Sequence, residues 1–295
     1  MKWEDHRESS NIEDRRSSSN YGSRGRSGNM LALLPIVKML LGSKIGRIVL
    51  VVGVIAYFFG FNPLALLDPS SSMTSTQSKV VNQQSDDKSA KFVSAVLAQT
   101  EDIWSEVFKK YGGTYQEPKL VLFRGSTRSG CGFASAQTGP FYCPADKKIY
   151  LDLSFFDELA RRHNAPGDFA SAYVIAHEVG HHVQNLVGTL DKVQSAKQNF
   201  GNSTKSNALQ VKVELQADCY AGLWAHYSKK NFNSLEQGDI DEALNAASAI
   251  GDDTLQKKSQ GFVVPDSFTH GSSAQRMTWF KKGFDVATLE ACNSF

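Results

Sequence analysis

The stretch HEVGHH, residues 177–182, restricts the fold of this chain more than any other. On a helix, His177 and His181 stand one turn apart and about 40° apart around the axis, so both rings can reach one ion from the same face. Glu178 lies at the edge of that arc. H-E-x-x-H is the pattern in which two imidazoles hold zinc while the glutamate faces the zinc-activated water. Chance alone places such a pattern in about one chain per hundred, so the motif needs a partner before it decides anything. A catalytic zinc site takes a third protein ligand and keeps one position open, and a second element must therefore pack against this face.

The continuation that would supply a third histidine on the same segment is absent, because Gln184 and Val187 stand where Gly and His would be required. Further along, VELQAD places Glu214 and Asp218 at i and i+4 of an expected helix, so both carboxylates project toward one region. Glu214 is assigned to the metal. Asp218 is assigned to the ring N–H of His177, which fixes its tautomer. The competing reading is a solvated acidic pair. It is weakened by Ala217, Cys219 and Ala221, which mark a partly buried helix where an unpaired charge is costly. His182 points about 100° away from His181 and reads as a packing residue or a support to the ligands. His163 and His226 are given no role.

The basic excess lies at one end: residues 1–47 hold nine Lys/Arg against five acids, in a chain of net charge +2. Nucleic acid is not the expected partner, because residues 48–67, IVLVVGVIAYFFGFNPLALL, form a 20-residue run without charge. As a helix this run spans a hydrocarbon core of roughly 30 Å. The Lys/Arg bias predicts a single-pass inner-membrane protein with a cytoplasmic N-terminus and the rest periplasmic or extracellular, which would put His6 across the membrane from the site. Accordingly, residues 1–47 are expected to be a largely disordered cytoplasmic tail, 48–67 the transmembrane helix, 68–90 a polar linker and 91–295 the catalytic domain. Four cysteines fit a non-cytoplasmic domain as two disulfides, with Cys131–Cys143 as the favoured pair and Cys219 and Cys292 remaining. No CxxC spacing supports a zinc site made from them.

Within 91–295, apolar spacing predicts a helix from Phe92 to Tyr111, and short strands follow at 119–123, 131–136 and 148–153. Further helices are expected from Ser154, and over 168–186, 206–227, 236–250 and 274–283.

HEVGHHVQ, ELQAD and THGSSAQR, in that order, together with the opening WEDHRESSNIEDRR, resemble the bacterial membrane-anchored neutral zinc metallopeptidase family (YpfJ-type). More distantly the arrangement is similar to gluzincins, in which the third motif reads T-H-P-x-x-x-x-R, whereas this chain has Gly271 at the proline position. The resemblance implies a zincin-like α+β fold, helix-rich with a small sheet and preceded by one transmembrane helix. It implies a zinc endopeptidase holding one Zn²⁺ through His177, His181 and Glu214. Glu178 would act as general base and later pass the proton to the leaving amine, and His270 would donate to the oxyanion, with Arg276 as its structural or electrostatic neighbour. A peptide or protein substrate would pair with an exposed strand, for which Gly132–Ala136 is favoured because its small side chains leave the backbone open. A catalytically idle scaffold binding a partner, and a hydrolase of another amide such as a cell-wall peptide, are the alternatives.

Overall fold

The protein was analysed as a computed structural model, which describes residues 1–18, 83–201 and 203–295. Six strands build two small sheets ahead of most of the helices. Strands β1 (Ile12–Asp14), β2 (Lys119–Phe123), β5 (Phe141–Cys143) and β6 (Lys148–Asp152) form one sheet in the order β1-β2-β6-β5. β1 and β6 run parallel to β2, and β5 runs antiparallel to β6. β3 (Ser126–Ser129) and β4 (Gly132–Ser135) make a separate hairpin.

Period-2 alternation sorts the central strands. Leu120, Leu122, Ile149 and Leu151 face the main core, while Val121, Phe123 and Tyr150 face a second cluster with Ala134, Cys143 and Phe141. Both faces are thus covered, as β2 and β6 require: their residues after the first are all buried.

The helices are α1 (Gln83–Lys110), α2 (Ser154–Arg161), α3 (Asp168–Leu186), α4 (Thr189–Gln198), α5 (Thr204–Phe232), α6 (Asp239–Ala249), α7 (Asp252–Gln260) and α8 (Ser273–Val286). α3 carries the H-E-x-x-H motif and is buried almost all round, packed among α1, α5 and α6. It crosses α5 closely because Gly180 leaves only hydrogen above Ala217; a Cβ there would lie 3.1 Å from the Ala217 carbonyl oxygen. α5 and α8 approach still more tightly, since a Cβ on Gly222 or Gly283 would overlap the backbone of the facing helix. The two cysteine pairs close as Cys131–Cys143 and Cys219–Cys292. The first ties the β3–β4 hairpin to β5, and the second ties α5 to the chain's last turn.

The helix-rich α+β architecture with a small sheet matches the expected class, but the N-terminal region does not match its expectation. Residues 1–18 are not a disordered tail: Met1 and Trp3 are buried in the main core and β1 is a sheet strand. The Met1 ammonium pairs with Asp168, Glu236 and Asp239, and Arg7 pairs with the buried Glu101. The physical reason is that a polar segment needs little apolar area of its own when it completes a sheet and neutralises buried acids. Likewise, 83–90 is not linker but the start of α1, where the buried Asp86 is held by Arg16 and Arg124. His6 therefore packs on Phe232 of the same body, with ring centroids 5.6 Å apart. A single membrane crossing between residues 18 and 83 would part β1 from β2, so the expected arrangement with N-terminus and domain on opposite sides conflicts with this pairing. The run at 48–67 lies outside the described residues, and among those described no helix is long and apolar enough to cross a membrane.

Candidate metal centre

The motif helix α3 presents His177 and His181 to one side, and α5 delivers Glu214 to meet them. Glu214 Oε2 lies 3.2 Å from His177 Nε2 and 3.4 Å from His181 Nε2. Tetrahedral zinc with bonds of 2.0–2.1 Å sets neighbouring ligand atoms about 3.3 Å apart, so this donor set fits the ion. The three groups are the expected ones, brought together from two helices.

What holds them is equally specific. Asp218, one turn after Glu214, lies 2.8 Å from His177 Nδ1, as expected from the sequence. Asp218 also receives Arg276 Nε and Nη2 at 2.9 Å each and the Tyr173 hydroxyl at 2.5 Å. Burial alone would raise the Asp218 carboxyl, but the Arg276 guanidinium and His177 hold it down at about 2. In the same metal-free arrangement burial opposes charge on His177, yet Asp218 and Glu214 lift its pKa to about 9. Glu214 is likewise kept well below the carboxylate range, against its own burial, by the two imidazoles. Its other oxygen, Oε1, accepts from Gln210 at 2.9 Å. Two imidazole lone pairs and a carboxylate converging in a buried place repel one another unless protons or a cation lie between them.

Glu178 is buried beside this centre and lines the same cleft as His177, His181 and Glu214, a cavity of about 730 Å³. Its carboxylate accepts no hydrogen bond from the described residues, which leaves it free for a proton. His270 lines the cleft too, from the loop between α7 and α8, with its side chain 53% exposed. That loop is organised by Asp252, whose Oδ2 accepts the backbone N–H groups of Thr269, His270 and Gly271 at 2.7, 2.7 and 3.0 Å. Hydrogen bonding to Asp252, against burial, also raises the His270 pKa. Gly271 has φ +99° and uses its N–H, neither of which proline could supply, so this turn departs physically from the T-H-P pattern.

The cleft-facing strand is β5, not Gly132–Ala136. β5 ends the four-stranded sheet, and Gly139, Pro140, Phe141 and Tyr142 line the cavity. Gly132–Ser135 is occupied in the hairpin with β3, and only the neighbouring Cys131 reaches the cleft. His182 is a support, as its position on α3 suggested: it is buried between Tyr142 Oη and the Gln116 carbonyl. His226 packs on Phe284, whereas His163 lines the cleft wall.

Sequence reasoning missed Tyr173, Gln184 and Asp252. Tyr173 lies one helical turn before His177, the one signal that could have found it. Gln184 was read only as a failed glycine; it in fact sits 2.9 Å from His181 Nδ1. Asp252 carried no signal, because nothing in the sequence ties it to residues 269–271.

The comparisons agree with this centre. Residues 1–295 match the family described as "Putative neutral zinc metallopeptidase". The chain is 50% identical over 297 residues to the uncharacterized protein YpfJ of Escherichia coli strain K12, covering 100% of this chain and 99% of that protein. It is 40% identical over 215 residues to the uncharacterized protein Rv2575 of Mycobacterium tuberculosis strain H37Rv, covering 70% of this chain and 71% of that protein. No solved structure matches. By its full-length match and by these relatives, the chain belongs to the neutral zinc metallopeptidase family.

Proposed function

We propose that the protein is a zinc-dependent endopeptidase of gluzincin type that holds one Zn²⁺ through His177 Nε2, His181 Nε2 and Glu214 and is attached to a membrane through the apolar run at 48–67. The observation that carries the reading is the convergence of those three ligand atoms, all within 4.8 Å of one another, in a cleft that also contains an unengaged Glu178. When bound, zinc supplies a water acidified to a pKa of roughly 7 and a Lewis acid for the scissile carbonyl.

The chain's own residues do the rest. Glu178 takes the proton of the attacking water and returns it to the leaving amine. His270, held by Asp252, donates toward the oxygen of the scissile carbonyl as it gains charge. The free edge of β5 pairs with an extended peptide through backbone hydrogen bonds. Phe141, Phe155, Leu190, Val193 and Leu255 give the cleft an apolar wall, which favours peptides with apolar side chains near the cut. The two disulfides support placing the catalytic body outside the cytoplasm.

The test uses the full-length chain, because residues 1–18 are part of the fold. Zinc content and cleavage of a peptide mixture are compared for wild type, Glu178→Gln and Glu214→Ala. Glu178→Gln is expected to keep zinc and lose about 10³-fold in cleavage rate. Glu214→Ala is expected to lose zinc. Cleavage undiminished in Glu178→Gln would sink the proposed base. Zinc without cleavage of any peptide by the wild type would favour an idle scaffold.

A further inference from the structure

The two ligating imidazoles are supported differently, and the difference reaches far from the metal. His177 Nδ1 meets a carboxylate, whereas His181 Nδ1 meets a neutral amide, Gln184 Oε1, at 2.9 Å. The Gln184 amide cannot turn over. Its Nε2 donates to the Val213 carbonyl at 2.7 Å and to Gln216 Oε1 at 3.0 Å, so both of its hydrogens face acceptors. Turned over, its oxygen would face two oxygens in a place closed to bulk solvent, since Gln184 is wholly buried. Gln216 is fixed in the same way, with Nε2 donating to the Cys292 carbonyl at 3.1 Å.

We propose that Gln184 and Gln216 are positioning residues: a one-directional chain of buried amides, starting at the Val213 and Cys292 carbonyls, that forces the proton of His181 onto Nδ1 and leaves the Nε2 lone pair for the metal. The inference rests on the zinc-site reading above and adds two residues that touch no substrate. Gln216 makes no hydrogen bond to His177, His181 or Glu214 among the described residues; its link to His181 runs through Gln184. Two adjacent buried amides are otherwise expensive to keep, since apolar side chains of the same volume would fill the space without desolvating polar groups. The last link, Cys292, is bonded to Cys219, which lies on the helix that supplies Glu214. Thus α5 contributes Glu214 and, two residues on, the Gln216 that orients Gln184 of α3.

The experiment measures zinc affinity by competition with a chromophoric chelator on the full-length protein. It also reads the histidine Nδ1–H resonances by ¹⁵N NMR in zinc-loaded samples. Methionine replaces each amide with little change in volume. Gln184→Met is expected to lower zinc affinity by about 10- to 100-fold and Gln216→Met by about tenfold, the range seen when groups supporting a metal ligand are removed. In both zinc-loaded variants the His181 Nδ1–H resonance is expected to shift as its acceptor is lost or loosened, with the His177 Nδ1–H resonance unchanged. Affinities within twofold of wild type together with an unaltered His181 Nδ1–H resonance would overturn the proposal. If Gln184→Met does not fold, Gln216→Met decides alone by the same two readouts. Failure of the underlying site is distinguishable: zinc binding that survives both His181→Ala and Glu214→Ala refutes the centre, whereas loss of binding in those two variants with unchanged affinity in both methionine variants refutes the amide chain alone.

Discussion

Charge at the centre is balanced residue by residue, and Arg276 is the clearest case. Its guanidinium is buried and shares Asp218 with His177 and Tyr173, so it is the permanent positive charge that faces this buried carboxylate. Arg276→Met is expected to cost about 3–5 kcal/mol of unfolding free energy, since it leaves a buried charge without its ionic partner. Adding Asp218→Asn should recover part of that loss, and denaturant unfolding of the two single variants and the double variant measures the coupling. The converging groups were legible in the sequence because helical spacing dictates which residues share a face: i, i+4 in HEVGH and i, i+4 in ELQAD suffice. Arg276 was legible only as a neighbour. Tyr173 and Gln184 were not, because a buried hydroxyl or amide gains its partner from tertiary packing, which no local period encodes.

Among the elements, long amphipathic helices and the apolar strands β2 and β6 were readable from periodicity, and their boundaries moved by only a few residues except at the start of α1, which lies well before Phe92 at Gln83. Shorter elements were lost. β1, IED, has no apolar alternation, β5 is three residues long, and α4 and α7 are polar on most faces. β1 forms because β2 offers it a parallel edge and because the N-terminal residues before it are anchored at Asp168, the first residue of α3. Burial disfavours charge on the Met1 amine, but the hydrogen bond and charge of Asp168, with Asp239 and Glu236, raise its pKa from 8.0 to about 10. A raised pKa means stability fully present below pH 8 and lost as pH climbs through about 10. The thermal midpoint should therefore fall over that window. N-terminally acetylated protein should start lower and lack this component of the fall, and scanning calorimetry of both forms between pH 7 and pH 11 checks it. Helix–helix contact gives a second expectation at this scale. Gly222→Ala forces a methyl group into the Phe280 backbone, so α8 must shift off α5, with an expected loss of about 3 kcal/mol or failure to fold. An exposed control such as Lys230→Ala should stay within about 0.5 kcal/mol.

For the whole molecule, the position of residues 1–18 sets a topological condition that sequence periodicity could not reveal. The Lys/Arg bias before residues 48–67 argues for one crossing, a rule that treats the flanks as independent of each other. They are not independent: β1 is hydrogen-bonded to β2, Trp3 packs edge-on against Phe92 at 5.5 Å, and Arg16 reaches Asp86 and Asp87. Undoing these contacts to place residues 1–18 across a bilayer would expose an edge of β2, bury no equivalent area, leave Glu101 without Arg7 and take from Asp86 one of its two arginines. The pairing of β1 with β2 thus predicts that residues 1–18 and 83–295 lie on the same side of a membrane. The expected outcome is that cysteine reporters at two exposed positions, Glu8→Cys and Lys281→Cys, react alike with a membrane-impermeant maleimide in sealed, right-side-out vesicles. Opposite labelling of the two would mean that β1 does not pair with β2 in the membrane-attached protein. Equal labelling from outside would also place the H-E-x-x-H cleft on the side where both disulfides can persist, and with it the class of peptide the enzyme meets.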